Sequence, residues 1–122
     1  MKLRIKGNSV RYRLSQSEVA QFNQNEYIED CVDFLAGKLI YALQATKTVD
    51  SLQIDYSNNK IIMFFPFTEI EKWTTTELVG YKNSIPLSNG SNMQLILEKD
   101  FVCLDDVEED QGDNFPNPKS KC

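Results

Sequence analysis

"KLRIKGNSVRYRL" (Lys2–Leu14) decides how the chain reads. Leu3 and Ile5 alternate with Lys2, Arg4 and Lys6; Val10, Tyr12 and Leu14 alternate with Ser9, Arg11 and Arg13. Period two marks β-strands with one face on a core. Gly7-Asn8 links the two runs, and a glycine in first place suits a two-residue type II′ hairpin. Pairing about that turn sets Ile5 opposite Val10, Leu3 opposite Tyr12, Arg4 opposite Arg11 and Lys2 opposite Arg13. All the apolar side chains then share one face and all the basic ones the other. A slip of one residue would mix the faces, so the register is strongly specified.

Outward from this hairpin, "SQSEVAQF" sets Ser15 three residues before Glu18, a capping-box spacing, and puts Val19 and Phe22 on one face of a short helix. "YIEDCVDFLAGKLIYALQA" (27–45) reads as a second hairpin. Ile28, Val32 and Phe34 share a parity, Ala36-Gly37 marks the turn, and the nearly all-apolar run Leu39–Leu43 suits a central strand. The order then starts again. "SLQIDYSNNKIIMFF" (51–65) is a hairpin about Asn58-Asn59, and Pro66 stops its pairing. Thr68 and Glu71 repeat the capping-box spacing ahead of Trp73, a core or interface residue. "LVGYKNSIPL" and "MQLILEKDFVCL" form the last pair of strands, about the polar turn "SNGSN".

The expected fold class is therefore α+β, mainly antiparallel sheet with two short helices. A tandem β-β-α-β-β pseudo-repeat is one arrangement, and a chance succession of hairpins and helices is the other. In the tandem reading, Leu3-x-Ile5 aligns with Leu52-x-Ile54 and Ser17-Glu18-Val19 with Thr68-Glu69-Ile70.

A chain of 122 residues predicts one domain, placed at 1–104. From Asp105 onward the periodicity stops, and "DDVEEDQGDNFPNPKSKC" (105–122) reads as an acidic, Pro-containing tail of low folding propensity. Phe115 is its apolar exception, suited to anchoring the tail to the domain. The net charge is −5, with 11 basic and 12 acidic residues in 1–104 but 2 and 6 in the tail. Lys2, Arg4, Lys6, Arg11 and Arg13 give the opening hairpin the opposite sign. Like charges facing one another on a sheet repel, so this face needs counter-charge or solvent screening. Candidate sources are nucleic-acid phosphates, an acidic protein, Glu29 and Asp33, or the tail residues Asp105, Asp106, Glu108, Glu109 and Asp110. A tail docked on the face would be an autoinhibitory contact.

The chain contains no histidine, which excludes histidine-based triads and Cys–His dyads. Cys31, Cys103 and Cys122 form no CxxC pair and match no zinc spacing, so neither metal nor cofactor is expected. The acidic run lacks the ligand order of an EF-hand loop. Asp100, Asp105 and Asp106 surround Cys103 with charge that disfavours a thiolate, so Cys31 and Cys103 are expected to be structural thiols. Cys122, at the C-terminus, is the one expected to be exposed. Glu98-Lys99-Asp100 reads as a solvated strand end rather than as catalytic. No apolar run approaches the ~20 residues of a membrane span. The N-terminus lacks the apolar region of a signal peptide, which predicts a cytoplasmic protein.

Two resemblances add to this. The opening "MKLRIKGNSVRYRLSQSEV" and the closing "LEKDFVCLDD" with "DNFPNP" resemble an uncharacterised bacterial family of unknown function along the whole chain. That family has no assigned activity, so the resemblance supplies no catalytic residues. "RIKGNSVRYRLSQSEV" is similar to the swapped-hairpin fold of the AbrB/MazE transcription-factor and antitoxin families, although Arg13-Leu14-Ser15 replaces their Arg-Ile-Pro step. It implies one chain holding two pseudo-repeats where that family uses a dimer. The expectation is a small non-enzymatic binding module that takes a protein or nucleic-acid partner through Lys2, Arg4, Lys6, Arg11 and Arg13. The alternative is an AbrB/MazE-like DNA-binding regulator. A homodimer stays open.

Overall fold

The computed structural model describes residues 1–101, Asp113 and Phe115. Eight strands and two helices follow one another as β1 (Lys2–Lys6), β2 (Ser9–Leu14), α1 (Gln16–Asn25), β3 (Tyr27–Phe34), β4 (Gly37–Thr46), β5 (Gln53–Ser57), β6 (Lys60–Pro66), α2 (Ile70–Thr75), β7 (Gly80–Pro86) and β8 (Asn92–Lys99). The fold is α+β, as the alternation predicts. The register of β1 on β2 is the expected one at every position. Gly7 takes the left-handed φ of 55° that the first place of a type II′ turn needs. Asn58 and Asn59 both take positive φ, 50° and 60°, which gives the β5–β6 hairpin a type I′ turn.

The strands form two four-stranded sheets, β1-β2-β8-β7 (sheet A) and β3-β4-β6-β5 (sheet B). Each sheet joins two antiparallel hairpins through one parallel pair, β2 with β8 and β4 with β6. The first hairpin of each half therefore pairs with the second hairpin of the other half. The two sheets map onto each other strand for strand: Tyr12 opposite Leu97 in sheet A corresponds to Met63 opposite Leu43 in sheet B. A constant offset of 51 positions relates Leu3 to Ile54, Val10 to Ile61, Tyr12 to Met63, Leu14 to Phe65, Val19 to Ile70 and Phe22 to Trp73. This corrects one part of the expected alignment. Leu3 and Ile5 correspond to Ile54 and Tyr56, while Leu52 corresponds to the buried Met1.

The inner faces of the sheets enclose the core, closed at one end by the helices. Phe22 of α1, Trp73 of α2 and Phe65 of β6 meet there with ring centroids 5.5–6.1 Å apart, and Tyr81 packs edge-on against Phe65 at 5.1 Å. All three of the first group are fully buried. Burying side chains of this size stabilises the domain by roughly 1.5–3 kcal/mol each. α1 starts on its expected capping box, with Ser15 N–H donating to Glu18 Oε1 at 2.9 Å. α2 does not start on the second one. A 3-10 turn over Phe67–Glu69 takes up the Thr68 position, and the helix begins at Ile70 with no side-chain cap.

Two details of the second hairpin differ from expectation. Its turn is Leu35-Ala36, because Gly37 already pairs with Phe34. Val32 and Phe34 share the inward parity of the buried Ile28 but are exposed. The inward face of β3 is therefore covered at Ile28 and open toward the tip of the hairpin.

Candidate functional site

The outer face of sheet A collects the basic side chains. Strand alternation turns Lys2, Arg4 and Lys6 of β1 and Arg11 and Arg13 of β2 away from the core. The ladders then set them in rows across the sheet. Arg4, Arg11, Ile96 and Lys82 form one row, and Lys2, Arg13, Glu98 and Gly80 the next. Lys82 is a sixth basic group that the sequence reading omitted. Its signal was present, since Tyr81, Asn83 and Ile85 take the inward parity in "GYKNSIP" and leave Lys82 outward.

Among the described residues, counter-charge comes from β8 and its end. Arg13 Nε donates to Glu98 Oε1 at 2.7 Å, and Arg11 Nη1 donates to the same oxygen at 3.2 Å. Lys2 Nζ lies 2.8 Å from Asp100 Oδ2, and Asp100 is nearly buried. The expected donors Glu29 and Asp33 are elsewhere, on the outer face of sheet B. There Glu29 accepts the Tyr27 hydroxyl at 2.6 Å, and Asp33 pairs with Lys38 at 3.7 Å. Asp105, Asp106, Glu108, Glu109 and Asp110 lie outside the described residues. Arg4, Lys6 and Lys82 have no ion pair among the described residues. Among the described residues the face carries six cations, with Glu98 the one carboxylate on its strands and Asp100 pairing Lys2 at the end of β8.

The two described tail residues lie at the rim of the domain, away from the Arg4–Arg11–Lys82 row. Asp113 accepts from Ser17 N–H at 3.1 Å and Ser17 Oγ at 2.6 Å, and its carbonyl accepts from Gln16 N–H at 2.8 Å. It therefore satisfies donors of the first turn of α1 that the helix itself leaves open. Phe115 N–H donates to Asp100 O at 2.7 Å, and its ring packs on Phe101 at 5.7 Å. Lys99, on the inward parity of β8 and almost fully buried, donates from Nζ to Thr76 O at 2.6 Å and lies 5.2 Å from the Phe115 ring. Burial lowers its pKa. Lys99 and Asp100 are thus structural, which corrects the expectation of a solvated strand end.

Cys31, expected to be a structural thiol, is free and exposed on the outward parity of β3. Cys103 and Cys122 lie outside the described residues. Among the described residues no cluster of three His, Cys, Asp or Glu side chains is placed to hold a metal. No described helix is long and apolar enough to cross a membrane.

No curated protein and no solved structure matches the chain, so the likeness of its first half to AbrB and MazE gains no support there. A family model does match, over residues 1–119, and the chain belongs to that family, the family of unknown function DUF7009.

Proposed function

We propose that this protein is a non-enzymatic binding module that takes an acidic segment of a protein partner on the outer face of sheet A. The carrying observation is the row Arg4–Arg11–Ile96–Lys82, in which three cations share one rigid surface. A preformed sheet holds their backbone in fixed spacing, so little backbone entropy is lost on binding. Among the described residues the face carries no aromatic side chain: its outward positions are Lys, Arg, Ser, Asn, Gln, Ile, Glu, Gly and Pro. Single-stranded nucleic acid is held largely by stacking on aromatic rings, which this surface does not offer. The AbrB/MazE-like reading needs a basic surface on both halves. Sheet B instead turns Glu29, Asp33 and Asp55 outward beside Lys38 and Lys60.

The test titrates the full chain with a poly-glutamate peptide, duplex DNA and single-stranded RNA at low and high salt. Poly-glutamate binding that weakens with salt, and falls about tenfold or more in Arg11→Ala/Lys82→Ala, is the expected result. Binding of duplex DNA alone would move the assignment to the regulator reading. Silence toward all three probes at low salt would remove both.

A further inference from the structure

Among the described strands, β1 and β3 are edge strands, each with one hydrogen-bonded neighbour in its sheet. Both therefore present a row of backbone donors and acceptors along one side. Their charges are opposite. β1 reads KLRIK, with Arg4 and Lys6 free of ion pairs among the described residues, and β3 reads YIEDCVDF with Glu29, Asp30 and Asp33. A β1–β1 or β3–β3 contact between copies would set like charges against each other, whereas a β1–β3 contact sets opposite charges together. The inward parity is complementary as well. Ile5 is 57% exposed on β1, and Val32 and Phe34 are 40% and 63% exposed on β3. The remaining edges lack this match, since β7 ends at Pro86 and β5 carries one charge, Asp55.

We propose that a second copy of this chain docks edge to edge, β1 of each copy pairing with β3 of the other. Arg4 and Lys6 then face Glu29 and Asp33, and Ile5 packs against Val32 and Phe34. Within one chain the two edges lie on the same side of the sandwich, because the Tyr41 hydroxyl of β4, the neighbour of β3, donates to Met1 O at 2.9 Å. One two-fold axis can then form both contacts at once, which closes a dimer instead of opening a filament. This inference goes beyond the binding role and leaves Arg11 and Lys82 unused.

The test uses two charge-reversed full-length variants, Arg4→Glu/Lys6→Glu and Glu29→Lys/Asp33→Lys, in sedimentation equilibrium at low salt. The wild type is expected to dimerise and each variant alone to stay monomeric. An equimolar mixture should recover a one-to-one dimer within about tenfold of the wild-type constant, or ~1.4 kcal/mol. A wild type that stays monomeric over its whole soluble range would overturn the proposal. So would a variant that dimerises alone, or a mixture of folded variants that stays monomeric. Hydrogen exchange of the wild type gives a check without mutation. Amides along Leu3–Lys6 and Val32–Phe34 should slow as concentration rises, and unchanged exchange there also counts against the dimer.

Discussion

Arg13 Nε donates a 2.7 Å hydrogen bond to Glu98 Oε1, and the two residues are direct partners in the parallel β2–β8 ladder. That ladder joins the two halves of the chain. Glu98 also holds Arg11, so one carboxylate relieves the repulsion between two neighbouring cations on β2.

Glu98→Gln keeps the side-chain shape and removes the charge. All three groups are partly exposed, so solvent screening limits the loss to about 1 kcal/mol of stability. The same substitution raises the positive charge of the proposed binding face. Urea denaturation should therefore show a less stable protein, while poly-glutamate titration shows tighter binding. Matching losses of stability and affinity would argue that Glu98 shapes the site rather than tempering its charge.

The local elements were legible because their causes are local. Alternation and Gly7-Asn8 define the first hairpin and its register, and Ser15 with Glu18 defines the start of α1. The part played by Glu98 was not legible. Glu98 reaches Arg11 and Arg13 only through a parallel pairing between residues more than eighty positions apart, and alternation within a strand carries no information about its neighbour. For the same reason Lys99 was read as solvated. It follows the inward parity of Leu95 and Leu97, but its burial also depends on Thr76 and Phe115 arriving from other parts of the chain. The exposure of Val32 and Phe34 is a further case, because their own alternation matches that of the buried Ile28.

Gly80 is required by close approach. A Cβ placed there would lie 1.8 Å from the Leu97 carbonyl oxygen and 2.7 Å from Glu98 Cα, both backbone atoms that cannot rotate away. The preceding carbonyl, Val79 O, accepts from Trp73 Nε1 at 3.0 Å and from Lys99 N–H at 2.9 Å, so a shift of β7 is felt in the aromatic cluster. Gly80→Ala should cost about 3 kcal/mol or more. Urea unfolding followed by the fluorescence of Trp73, the single tryptophan, measures it. A midpoint close to wild type would show that the strand pair relaxes freely.

The tyrosines make the protein sensitive to alkali. Burial is the first cause that raises Tyr12, Tyr27, Tyr41 and Tyr81 above the ordinary 10.0, and for Tyr81 the hydrogen bond to Glu69 adds to it. A group whose folded pKa is raised contributes fully below its unfolded value, and the contribution is lost as pH climbs through the folded one. Stability should therefore fall above about pH 10. Lys99 acts in the opposite sense. Its lowered pKa means that folding disfavours the ammonium, so its contribution improves as pH rises toward 10.5. Urea midpoints across the alkaline range should fall less steeply in Tyr81→Phe. Lys99→Met should remove any rise below pH 10 and leave the fall in place. An unchanged alkaline slope in Tyr81→Phe would assign the effect to the other tyrosines.

Asp113 links the tail to the first turn of α1 through Ser17 and Gln16, and hydrogen bonds from Ser15 and Ser17 hold its carboxyl below the ordinary 3.8. A depressed carboxylate supports the folded contact above its unfolded pKa, and that support is lost as pH falls through the folded value. Asp113→Ala removes the acceptor for the Ser17 amide and hydroxyl at neutral pH. α1 keeps its own capping box at Ser15 and Glu18, so the helix should persist while its first turn opens more often. Protection factors for Gln16 and Ser17 should drop in the variant, with those of Val19 and Phe22 unchanged. In the wild type, acidification should lower the same two protection factors, and the variant should show no such acid response. A uniform loss of protection along the helix would mean instead that Asp113 supports the whole fold.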